Sequence, residues 1–187
     1  MKKFFSMVLL IAVCITYAQK KTNGTIYVEH PAINVVEAMT QAYVKGDADK
    51  VASFLTDDFK SFNGVTSNKD DKGSDKTAFL NEVKFWKENI DYLSIKKSEG
   101  AYPDALEYKE ADNKDVVWVQ TWDDLKGVHN KTGVKIDTPL HRLFVVDKNN
   151  KIKTIIRYRN SSVFDEIGHS FNDRENGTIY NHHENIN

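Results

Sequence analysis

The sequence predicts an α+β domain in which helices come first and cover one face of an antiparallel sheet. Between Pro31 and Ile90, apolar side chains recur at three- and four-residue spacing. After Ile90 the period changes to alternation. The breaks fall at Gly46-Asp47 and Ser74-Asp75, where glycine stops a helix and a short polar side chain starts one.

Residues 19–30 read as an extended arm, because Thr25, Ile26, Tyr27 and Val28 favour strand. Pro31 suits the first turn of a helix, where its missing N–H costs nothing. Ile33, Val36, Met39 and Tyr43, with Ala42 beside them, then make one stripe facing a core. Gly46 ends this helix and Asp47 caps the next, anchored by Val51, Phe54 and Leu55. Phe59 and Phe62 flank a short strand ending at Asn63-Gly64, and the polar run Thr66 to Ser74 reads as a loop. Ser74 or Asp75 caps a third helix with Phe79, Val83 and Trp86 as its buried stripe. Five strands follow: Tyr92 to Lys97, Tyr102 to Lys109, Asp115 to Trp122, Val134 to Val146 and Lys151 to Asn160. Gly127 to Gly133 and Asp147 to Asn150 are the turns.

Residues 1–18 read as a signal peptide. Lys2 and Lys3 precede an apolar run from Phe4 to Ile15, and Ala18 is the small residue before Gln19. The expectation is an exported, periplasmic or extracellular, bacterial protein. Its single cysteine, Cys14, lies in the signal, and the bulky Val13 before it disfavours lipidation. Thiolate catalysis, disulfides and Cys-zinc sites are then excluded from the mature chain. A net charge of −1 with both signs interspersed argues against a nucleic-acid partner. No later segment is long and apolar enough to span a bilayer as a helix.

The two ends of the chain are alike. Asn23 to Asn34 and Asn176 to Asn187 share NGTIY, then a His, an Ile and an Asn in matching places, one domain length apart. Residues 163–187 therefore read as a linker and the beginning of a second repeat. A polar tail, or a tail that docks where a neighbour's arm would lie, are the alternatives.

The run AMTQAYVKGDADKVASFLTDDF (helix, Gly-Asp break, second helix, Asp57-Asp58-Phe59 exit) resembles the opening of the nuclear transport factor 2-like superfamily, in its SnoaL-like branch. The stretch Pro139-Leu140-His141-Arg142-Leu143-Phe144, with Arg157-Tyr158-Arg159-Asn160, is similar to the closing hairpin of that group. The resemblance covers about Ala32 to Ser161, within a domain read as residues 31–162. It implies a curved sheet wrapped around the helices to form a conical pocket, often paired into a dimer through the sheet. Ketosteroid isomerases of this fold place a general-base Asp where ungapped alignment puts Asn63. An Asn cannot take a proton, so isomerase chemistry is disfavoured. SnoaL-like cyclases use an Asp and a His in the late sheet, which maps onto Asp137 and His141.

Those two residues share a strand face but lie about 13 Å apart at strand rise, so they would serve singly as acid or base. A His in mid-sheet is more often hydrogen-bonded packing. Asp57-Asp58 reads as capping or solvated carboxylates rather than a catalytic pair. Trp118, Gln120 and Trp122 alternate on one strand and share a face. On a concave face they would line an apolar pocket with one polar handle; on a convex face they would form a dimer interface. Tyr43, Asn63 and Tyr158 complete the ligand-binding candidates. The histidines are scattered, and no phosphate loop, dinucleotide fingerprint or nucleophile elbow occurs, so no metal or cofactor is expected. The expected function is non-catalytic binding of a small, largely apolar molecule or a partner. A cofactor-free isomerase, cyclase or dehydratase and an assembly module are the rivals. Expected partners are a small apolar ligand and a second copy, or a second repeat in the same chain.

Overall fold

The structure is a computed structural model that describes residues 23–64, 70–109, 114–160, 162–165 and 167. The expected signal peptide and the second NGTIY copy lie outside the described residues, as does the first part of the expected loop at Thr66 to Ser74, residues 66–69.

The chain runs β1 (Gly24–Tyr27), α1 (Pro31–Lys45), α2 (Ala48–Phe54), β2 (Leu55–Asn63), β3 (Ser74–Asp75), α3 (Lys76–Asn89), β4 (Ile90–Lys97), β5 (Asp104–Tyr108), β6 (Val116–His129), β7 (Lys135–Asp147) and β8 (Ile152–Arg159). The expected arm is β1, paired antiparallel with β5. His30 ties the arm to α1: its Nδ1 accepts the Ala32 N–H at 3.1 Å, and Nε2 lies 3.3 Å from Glu107. Gly46 closes α1 at φ 74°, a left-handed conformation that glycine takes without a Cβ penalty. Asp47 and Asp75 cap α2 and α3 by accepting the N–H groups of Lys50 and Ala78, each at 2.9 Å.

The eight strands form one open sheet in the order β1-β5-β6-β7-β8-β2-β3. The long strand β6 is its spine. One edge pairs with β7 throughout, while the other takes β5 at residues 117–120 and β4 at residues 123–129. The sheet is mixed, which corrects the expected all-antiparallel arrangement: β2 runs parallel to β8. The two strands are far apart in the chain, with no hairpin between them to make the pair antiparallel. The strand periods also differ from expectation near Gly127. β6 continues through it to His129, paired antiparallel with β4; Gly127 falls where that pairing shifts register, and Ile90 Cγ2 lies 2.5 Å from where a Cβ would stand. The turn is confined to the residues that follow.

Helices α1 and α3 cover one face of the sheet. In β7, Ile136, Leu140, Phe144 and Val146 point to them, with Thr138 and Arg142 between. In β6, Val119, Thr121, Asp123, Leu125 and His129 do the same. Met39, Val51, Phe59, Phe79, Val83 and Trp86 meet these side chains in a single core. Val163, Phe164 and Ile167, beyond the last strand, pack against it. Asp57 and Asp58 lie within β2 and not at a helix exit, since α2 ends at Phe54. They pair with Lys76 and Lys153 at the surface, at 3.5 and 3.3 Å.

Candidate functional site

The inner face of the sheet carries polar groups where a hydrophobic pattern predicts none. Strand alternation sends Arg142 inward between Leu140 and Phe144, and Arg157 and Arg159 inward beside Ile155. Together with Met39 and Tyr43 of α1, Phe79 and Trp86 of α3, Ile95 and Leu125, they line a narrow cavity between helices and sheet.

Two of the three arginines have carboxylate partners. Arg142 donates from Nε and Nη2 to Asp123 Oδ2, at 3.1 and 2.8 Å, and from Nη1 to Thr40 Oγ1 at 3.0 Å. Thr121 donates to the same Asp123 oxygen at 2.6 Å, and Thr40 in turn donates to the Val36 carbonyl at 2.8 Å. Arg157 pairs with Glu82, whose Oε1 also accepts from the Tyr43 hydroxyl at 2.8 Å and the Trp86 indole at 3.2 Å. Burial opposes ionisation of Glu82. The charge and hydrogen bond of Arg157, with the Tyr43 bond, outweigh it and hold the carboxyl below its ordinary range. Burial, and then the charge of Glu82, push the Tyr43 phenol well above its ordinary value. Tyr43 is therefore a neutral donor and Glu82 a fixed carboxylate.

Arg159 differs. Its guanidinium lies 4.2 Å from the Phe164 ring centroid and 5.7 Å from that of Trp86, and among the described residues no carboxylate lies within ion-pair distance. Burial, with the nearby Arg157 charge, lowers its affinity for its proton. A guanidinium stays charged even so.

The opposite face of the sheet, bare of helices, holds most of the candidates read from the sequence. Trp118, Gln120 and Trp122 all point outward, as do His141 and Tyr158. Trp122 stands edge-on to His141 at 5.1 Å between centroids, and His141 to Tyr158 at 5.7 Å. Gln120, His141, Leu143 and Tyr158 enclose a shallow concavity. Gly64 makes room for the Tyr158 ring, which would lie 2.5 Å from a Cβ there. Asp137 is exposed and pairs with Lys126 at 3.3 Å, so it shares no site with His141. Neither lies among the residues lining the inner cavity. Of the ligand-binding candidates, only Tyr43 lines it; Asn63 is exposed and opposite Arg157 in register. No cluster of potential metal ligands occurs among the described residues.

Sequence reasoning missed Glu82, Asp123, Arg142, Arg157, Arg159 and Asp104. Three of these left a trace in the pattern, though none that reads as a buried charge. Glu82 falls three residues from Phe79 and four from Trp86, on the buried stripe of α3, and Arg157 and Arg159 share a strand face with Ile155. Asp104 sits opposite Gln120 on the outer face. Burial raises its carboxyl above the ordinary range, and the charge of His141 opposes this. Its Oδ1 and the Trp118 Nε1 have no hydrogen-bond partner among the described residues.

No protein-family model matches the chain, and no curated protein sequence matches it significantly. Solved structures do match by shape. PrhC from Penicillium brasilianum NBRC 6234 aligns with a TM-score of 0.63 at 7% identity, over 80% of this chain and 93% of its own. An LEH-like epoxide hydrolase of M. tuberculosis gives 0.51 at 17% identity, over 78% and 96%. A protein of Shewanella denitrificans OS-217 assigned to the SnoaL-like polyketide cyclases gives 0.50 at 11%, over 75% and 99%. Identities this low speak for the fold alone. The chain carries the nuclear transport factor 2-like fold, with helices on one face of a large mixed sheet and a cavity between them.

Proposed function

We propose that this domain is exported and binds a small organic molecule in the cavity between helices and sheet, without transforming it. One observation carries the reading. Among the described residues lining the cavity, no group can take and return a proton near neutral pH. Tyr43 is pushed up, the Glu82 behind it is held down and accepts three hydrogen bonds, and the arginines stay charged. A proton-transfer enzyme needs a base within reach of its substrate with a pKa near the working pH. The two acid–base candidates from the sequence, Asp137 and His141, face away. The test is native mass spectrometry of the protein from its own source, beside an Ile95→Phe variant. Ile95 is only partly buried on the strand β4, so a larger ring there narrows the cavity with little cost to the core. A bound adduct in the parent that the variant lacks supports the reading. An adduct retained by both sinks it.

A second reading, assembly through the outer face, is favoured by one feature. The face presents Trp122 at 36% and Tyr158 at 39% exposure, beside the Trp118 indole N–H and an Asp104 oxygen that have no partner among the described residues. Buried polar atoms without partners are rare in finished structures, and aromatic surfaces with polar handles are typical of interfaces. Light scattering across a dilution series decides it: a concentration-independent monomer mass refutes pairing through this face.

A further inference from the structure

We propose that the molecule held in the cavity is an organic carboxylate with an apolar body, and that Arg159 is the group that anchors its head. The inference rests on the cavity being the ligand site. The cavity wall contains three guanidinium groups, and among the described residues two carboxylates engage them: Asp123 takes Arg142 and Glu82 takes Arg157. Among the described residues Arg159 has no ion-pair partner of its own: it lies over the Phe164 and Trp86 rings and feels Glu82, already held by Arg157, only at longer range. Those aromatic contacts accept none of the guanidinium's five N–H donors in a carboxylate-like pairing, so its donor fork can still take an anionic acceptor. A partly buried cation without a counter-charge in direct contact is costly, and it cannot neutralise itself by losing a proton. A planar carboxylate matches its donor fork in two parallel bonds.

The space fits such a head. Water centres can occupy about 30 Å³ of the cavity, on the order of two waters, which a carboxylate group would displace. The rest of the wall, Met39, Leu125, Leu140 and Ile155, is apolar and suits an alkyl or aryl body.

Calorimetry of the full chain with octanoate and octanamide, and with 3-phenylpropionate and its amide, tests the assignment. The acids bind about 10- to 100-fold tighter than the amides, the range of charge-assisted hydrogen bonding. Arg159→Gln removes that preference and leaves amide binding in place. Arg159→Met keeps much of the stem and removes the charge, so the free protein melts at a higher temperature than wild type. Equal affinity for acid and amide, both lost in Ile95→Phe, overturns the anion assignment and leaves the cavity reading intact. No binding of any of the four probes overturns both. An acid preference that survives Arg159→Gln overturns the role of Arg159. A lower melting temperature for Arg159→Met also overturns it, by showing that the stack on Trp86 and Phe164 is structural.

Discussion

Replacing Asp123 by Asn leaves the guanidinium of Arg142 where it is but removes the charge that faces it. The two side chains are 10% and 7% exposed, so water cannot take the place of the lost partner. Arg142 has two of its hydrogen bonds on a single oxygen, Asp123 Oδ2, and a third on Thr40. Thr121 donates to that same oxygen and is disturbed by the change as well. Breaking a buried pair from one side costs about 3–5 kcal/mol, most of it the burden of the charge left behind. For a chain of 187 residues, each kcal/mol moves the melting temperature by about 2–4 °C, so Asp123→Asn melts about 6 to 20 °C below wild type. Urea unfolding followed by circular dichroism measures the same loss as a shifted midpoint at unchanged slope. Removing both charges, as Asp123→Leu with Arg142→Met, recovers most of the stability, because no orphaned ion remains. A loss below about 1 kcal/mol for Asp123→Asn, the range of an exposed pair, would refute the reasoning. So would a double variant no more stable than the single one.

Two further outcomes follow from the same cavity and its supports. Glu82 is held below its ordinary 4.5 in the folded protein, so its contribution is complete above about that pH and is lost as pH falls through the lower folded value. Glu82→Gln is therefore less stable than wild type at pH 7. Its stability also falls less steeply on acidification, and parallel acid limbs in pH-dependent melting would contradict this. Gly46→Ala forces a Cβ into a φ of 74° and to 2.5 Å from the Lys87 Cβ. It costs about 1–3 kcal/mol, read by urea unfolding, and a neutral result would show that α1 ends differently in solution.

The helices were legible because their signals are local. Pro31, Gly46, Asp47 and Asp75 act within a turn of their own position, and the structure places each at the helix end it marks. The strands were legible as periods, with ends less well placed. Gly127 read as a turn residue, although its reason for being glycine is the close approach of Ile90 from the neighbouring strand. That reason lies on another strand. The parallel pairing of β2 with β8 was also hidden, since neither strand's composition records which way its neighbour runs.

The cavity was the least legible part. Trp118, Gln120 and Trp122 were known to share a face, but period-two alternation says only that two faces exist. Which face is covered depends on where α1 and α3 dock, and they dock on the side of Val119, Thr121 and Asp123. An inward-pointing arginine reads as surface in a sequence, because a charge is buried only when partners far along the chain arrive to meet it. Arg142 lies 102 residues from the Thr40 it bonds, and Arg157 lies 75 from Glu82. The sequence by itself thus determined the element types, the helix ends and the membership of each strand face, all set by neighbours a few residues away. The tertiary structure alone decided which face is the inside, and that three arginines meet two carboxylates there, because both depend on contacts between segments the chain keeps far apart.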